Sequence, residues 1–227
     1  MTYARDASVV RRAARVLREE AGLYHSSTEF PWRRHRTPYR VFLAEFLLVR
    51  TRSDVVARVF EQVFSQYPTV SALARAHQDD LGESLRPLGL RKRVPYLLRA
   101  AGYLMEEHGG EIPRAVEELI RVPGLGLYSA VAIAAFAYGA AEVPADVNVL
   151  RLLSRLTGTP MIHPTRGSDE LRALLPHLSR DAGGPEPEHL LDFSRLVCQP
   201  RRPRCEECPL TPDCRYSAQH QRRGVDP

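Results

Sequence analysis

Apolar residues recur at intervals of three and four along almost the whole chain, and no convincing run alternates with period two. That period is the mark of amphipathic helices. Val9, Val10, Ala13, Val16 and Leu17 predict a first helix over 7–21, ended by Gly22. A basic loop, Phe30 to Arg36, leads to Thr37 as N-cap and Pro38 at the first helical position. The helix from Tyr39 to about Thr51 is apolar nearly all round, which assigns it to a core, and it carries one acid, Glu45. Ser53 or Asp54 caps a further helix that ends before Pro68, and short helices follow at 71–76 and 79–85. A basic turn at 88–93 enters a helix over 94–108, and Pro113 opens the next. An Ala-rich helix runs from Leu127 to Tyr138, and Asp146 starts another. Ser168 caps a helix to about Ser179, broken near Pro176, and a last long helix spans Glu188 to Val197. The predicted fold class is all-α.

One junction in this series has its own chemistry. Val122-Pro123-Gly124-Leu125-Gly126 lies between two helices, and its glycines permit a turn tight enough to aim backbone N–H groups outward at a helix start. Such a corner suits a phosphate, because unpaired donors and the positive end of the helix dipole coincide there. A glycine pair can equally be a packing corner. About twenty residues on, Asp146 follows Pro144-Ala145. Aspartate is a favoured N-cap, and that role is compatible with a second, chemical one.

Composition narrows the partners. The 227 residues carry a formal charge of +5, moderately basic, which favours a polyanion. Lys92 is the only lysine. Arginine suits phosphate contacts but cannot serve as an amine nucleophile, so covalent imine chemistry is limited to Lys92 or the N-terminus. Charges interleave through the first residues and no signal peptide is visible; the longest apolar run, 129–141, is too short to span a bilayer. The expectation is a cytoplasmic protein, in which four clustered cysteines bind metal rather than form disulfides. Cys198, Cys205, Cys208 and Cys214 are spaced by six, two and five residues, with four prolines stiffening the loop. Four thiolates suit zinc or a [4Fe-4S] cluster. Arg201, Arg202 and Arg204 between the first two ligands form a candidate phosphate clamp.

The VPGLG corner, the Ala-rich helix behind it, the downstream Asp146 and the cysteine spacing together resemble the helix-hairpin-helix base-excision DNA glycosylases that carry an iron-sulfur cluster. The resemblance covers nearly the whole chain, and the cysteine spacing is its most specific part. It implies a six-helix lobe over 37–139 that ends in the helix-hairpin-helix (about 113–138), a cluster lobe built from 1–36 and 140–227, and duplex DNA lying across the cleft between them. It places the [4Fe-4S] cluster ahead of zinc. The expected protein is a monomer that binds double-stranded DNA at Val122, Gly124, Gly126 and the loop arginines, extrudes one nucleotide and cuts its N-glycosidic bond.

By the same resemblance Asp146 is the catalytic carboxylate, an anion beside a sugar that becomes positively charged as its base leaves. Glu45 matches the pocket helix of the adenine and thymine mismatch branches, where a carboxyl in apolar surroundings can donate a proton to a leaving base. Read from the helix alone it is a core acid paired with Arg50 or Arg52. Tyr128 stands where the endonuclease III-like branch carries its imine-forming lysine, which implies a monofunctional enzyme using water; an aromatic filling the packing face is the alternative. Arg50, Leu90 and Arg91 are candidates to fill the gap left by the extruded base or to read its partner. Tyr128 matches the thymine branch, and Val49-Arg50, Gly89-Leu90-Arg91-Lys92-Arg93 and the short stretch after Cys214 depart from the adenine branch. Phe30-Pro31-Trp32-Arg33 and Arg36-Thr37-Pro38-Tyr39 look like the adenine branch. The balance favours thymine or uracil opposite guanine, then adenine opposite 8-oxoguanine or guanine, and then a DNA-structure-binding protein without catalysis.

Overall fold

The computed structural model describes residues 2–20, 30–49, 51–163 and 167–221. Among them no strand occurs, only an isolated bridge between His163 and Gly167, and the all-α expectation holds. The helices are α1 (Thr2–Glu19), α2 (Pro31–Arg34), α3 (Pro38–Leu48), α4 (Ser53–Gln66), α5 (Val70–Ala74), α6 (Gln78–Ser84) and α7 (Val94–His108). They continue with α8 (Val116–Leu119), α9 (Leu127–Tyr138), α10 (Val147–Thr157), α11 (Asp169–Leu174), α12 (Pro187–Leu196) and α13 (Arg215–Gln221). The chain forms two compact units, Met1–Ser26 with Ala141–Pro227, and Ser27–Ala140.

In the unit 27–140, α3 is the central helix. Val41, Phe42, Leu43, Ala44, Phe46 and Leu47 are all buried, as an all-round apolar helix requires. It packs on α4 and α9, and the alanines of α9 (Ala130, Ala134) are small enough to permit that approach. Thr37 caps α3 as its sequence foretells, its hydroxyl accepting from Arg40 N–H. Arg40, though charged, is buried: it donates to the Pro31 carbonyl and to Glu61, and lies over the rings of Phe60 and Phe64.

That packing corrects the expected boundary. Residues 30–36 do not join the cysteine-bearing unit, because Phe30 stacks on Trp32 and Trp32 meets Phe60 edge-on, which places both in the core of the unit 27–140. Local details also differ. Arg52, not Ser53 or Asp54, is the N-cap of α4; Asp54 instead holds the Arg52 guanidinium through two 3.0 Å bonds. The helix before the corner starts at Val116 rather than Pro113, since the Ile112 carbonyl leaves helical pairing to accept the Tyr138 hydroxyl.

In the other unit α10 is the hub. Val149, Leu150, Leu152, Leu153 and Leu156 are buried against α1, α11, α12 and α13. Pro176 breaks the 168–179 helix as expected, since it lacks an N–H to donate: α11 stops at Leu174 and a 3-10 turn follows. Arg215 bonds the buried Asp6, and Arg12 bonds Asp213, so α1 is fastened to both sides of Cys214.

Candidate functional site

The corner between α8 and α9 is built by its own side chains. Val122 and Leu125 are buried, and Leu125 N–H donates to the Val122 carbonyl at 3.1 Å, which closes the turn. The Val122 side chain therefore belongs to the core. Gly124 has φ +85°, and a Cβ there would lie 2.8 Å from Phe46 Cζ and 3.3 Å from Tyr96 Cβ, so backbone and space both demand glycine. Gly126 differs. Its φ of −106° suits any residue, and nothing lies within 4 Å of a Cβ built on it. The fold does not need glycine there; an outside partner approaching the backbone would. Gly126 is also the N-cap of α9, and no side chain caps the first-turn amides. The twelve-residue helix thus presents a bare, positive end to open space.

Other expected site residues of this unit fall in different settings. Tyr128 is the second residue of α9 and 39% exposed. Glu45 is 6% exposed on α3. Arg52 is taken by Asp54, and Arg50 lies outside the described residues. Arg91 is exposed in the 3-10 turn before α7. Leu90 is 8% exposed and packs in the core.

In the other unit Asp146 occupies the N-cap of α10. Its Oδ1 accepts Asn148 N–H at 2.7 Å, and the residue is half-buried. Three residues missed in the sequence surround it. Arg151 Nη2 donates to Asn148 Oδ1 and to the Ser194 carbonyl, each at 2.9 Å, while its Nε donates to the Cys198 carbonyl at 2.8 Å. One turn on, Arg155 reaches the carbonyls of Cys198, Gln199 and Pro200, and its Nη1 lies 3.5 Å from Cys198 Sγ. Asn148, Arg151 and Arg155 thus join the helix that Asp146 caps to the first cysteine of the loop. Burial pulls the Arg151 pKa below its usual value, and the neighbouring Cys198 and Asp146 pull it back. The only trace in the sequence was two arginines four apart on an otherwise leucine-rich helix, which reads equally well as a solvated stripe.

No disulfide joins the four cysteines, and together they line one apolar hollow with Leu152, Leu156, Val197 and Leu210. Burial, reinforced by mutual repulsion, pushes the Cys205, Cys208 and Cys214 thiols up, Cys208 to about 11. Such thiols ionise when positive charge arrives among them. Four thiolates with no histidine or carboxylate beside them among the described residues fit an iron-sulfur group or a tetrahedral zinc. Of the loop arginines, Arg204 pairs with Glu207 on the surface, while Arg201 and Arg202 are exposed.

Fold and site together define a helix-hairpin-helix protein with a terminal four-cysteine loop. The chain belongs to the HhH-GPD superfamily of base excision DNA repair proteins, to which residues 43–177 match, and within it is a DNA glycosylase. It is 34% identical to the thymine-DNA glycosylase of Aeropyrum pernix, over 85% of this chain and 88% of that one. It is 30% identical to endonuclease III of Thermotoga maritima (82% and 85% covered) and 33% identical to the adenine DNA glycosylase of Mycolicibacterium smegmatis (85% and 66%). The structure of a thermostable thymine-DNA glycosylase superposes with a TM-score of 0.81 at 24% identity, covering 96% of this chain and all of that one, a likeness of fold. Among the described residues no helix is long and apolar enough to cross a membrane.

Proposed function

We propose that this glycosylase is monofunctional and removes thymine or uracil mispaired with guanine, with water as the nucleophile. The carrying observation is Asp146: a half-buried carboxylate oriented by Asn148 N–H, itself backed by Arg151. Placed beside the sugar, it stabilises positive charge developing at C1′ and orients the attacking water. Tyr128 supports the absence of a lyase step, because a phenol forms no imine and stands where the resembled lyase branch has lysine. Glu45 is the proton donor or base-edge partner in the pocket. The α9 corner, Arg91, Arg201 and Arg202 grip the backbone, and extrusion costs least at a mismatch, which gives part of the selectivity.

Cys198, Cys205, Cys208 and Cys214 hold a [4Fe-4S] cluster. When bound, it supplies four iron–thiolate bonds that tie the loop together. Arg151 and Arg155 connect that loop to the helix Asp146 caps, and Arg201 and Arg202 are offered to DNA by it. The thymine reading follows Tyr128 and the Aeropyrum relative. The adenine reading is second, supported by Phe30-Pro31-Trp32-Arg33 and by a relative almost as similar. Single-turnover incubation with duplexes carrying G:T, G:U, A opposite 8-oxoguanine, A:G and oxidised pyrimidines, scored with and without alkali, decides. Release confined to adenine overturns the thymine assignment, and strand breaks without alkali overturn the monofunctional one.

A further inference from the structure

The corner at Gly124 has a neighbour on the surface. Tyr96, in the first turn of α7, lies against it, its Cβ 3.3 Å from where a Gly124 Cβ would be. The ring is 49% exposed, and Arg99 lies over it with its guanidinium carbon 4.5 Å from the ring centroid. The core does not ask for either residue: α7 buries Val94, Leu97, Ala100, Ala101 and Leu104, a stripe that excludes both. Among the described residues the Tyr96 hydroxyl has no hydrogen-bond partner and Arg99 has no carboxylate. Arg91 and Lys92, just ahead of α7, are exposed and likewise without acids. Glu117 and Glu118 belong to the first turn of α8, where they complement that helix's own dipole.

A guanidinium held over a ring loses less freedom when it binds than one on a loose stem, and its paired N–H groups match two phosphate oxygens. A half-exposed ring rooted beside the Gly124 corner and carrying such a guanidinium is a preorganised anion contact rather than a packing pair. We propose that Arg99, positioned by Tyr96, is a second DNA-backbone contact, taking the phosphate adjacent to the one held at the α9 corner. This rests on reading that corner as a DNA grip. The contact is to the sugar-phosphate chain and is therefore blind to sequence and to which base is mispaired.

The test is equilibrium binding of the full chain to a fluorescent G:T duplex across a salt series, with single-turnover base release at rising enzyme up to saturation beside it. Arg99→Ala, at an exposed site, should lower the slope of log K against log salt by about 0.9, the loss of one neutralised phosphate. Tyr96→Ala should lower it equally, the double variant no further, and Tyr96→Phe should retain the wild-type slope. Single-turnover base release should need more Arg99→Ala enzyme to saturate, in step with its weaker binding. Gly126→Ala separates the two readings: if it leaves binding intact, the corner is no grip and this inference falls with it. If Gly126→Ala weakens binding while Arg99→Ala keeps the full slope, the adjacent contact alone is refuted.

Discussion

At the scale of residues, Asp146 offers an unusually clean test, because aspartate and asparagine cap helices about equally well. Asp146→Asn should keep the bond from Asn148 N–H and melt at the wild-type temperature, yet lose base release by at least about 100-fold, the usual order for removing a charge that faces the transition state. Abasic sites counted after alkali, beside a thermal melt, report both. The two corner glycines separate in the same way. Gly124→Ala forces an L-residue to positive φ and into Phe46, so it should cost about 1–2 kcal/mol of stability or more. Gly126→Ala has room and an ordinary φ, so it should fold normally and weaken DNA binding. Asp146 was legible as a cap because the N-cap is a local rule, whereas the chemistry proposed for it came from the resemblance. The burial of Leu90 was not legible, because its packing partners are distant in sequence.

At the scale of elements, α10 matters most. Its N-terminus is Asp146, its buried face is leucine, and Arg151 and Arg155 bind it to the backbone of the cysteine loop. Arg155→Met keeps the apolar stem but removes donors to three carbonyls and to the Cys198 sulfur. Leaving buried acceptors unmet costs about 2 kcal/mol, hence a melting temperature lower by roughly 4–8 °C and faster loss of iron to a chelator. Iron content against time in chelator checks it; retention at the wild-type rate would show that Arg155 only fills space. The helix was predicted with its cap, whereas the arginine bridges were not. Their acceptors are main-chain carbonyls more than forty residues away, which carry no side-chain signal.

At the scale of the molecule, the lysine count bears on the proposed absence of a lyase step. With Lys92 exposed in a short turn and phenol at 128, no amine stands at the expected pocket position, and borohydride added during turnover should trap no protein–DNA adduct. A gel showing a trapped species with the wild type, lost in Lys92→Ala, would assign the lone lysine a covalent role. The edge of the unit 27–140 was not legible in the sequence. Phe30 and Trp32 precede a helix boundary but pack beyond it, and a stacked pair of rings chooses its core by shape, which periodicity does not encode.

The sequence by itself determined the helical class, the glycine corner, the carboxylate opening α10 and the four cysteines, because period, cap and spacing are local properties of a chain. The tertiary structure decided which glycine the fold requires and which it leaves for a partner, that Leu90 turns inward, that Arg204 pairs with Glu207, and that Arg151 and Arg155 hold the cysteine loop. Those outcomes depend on atoms that meet only after the chain has packed, and no window along the sequence contains both partners.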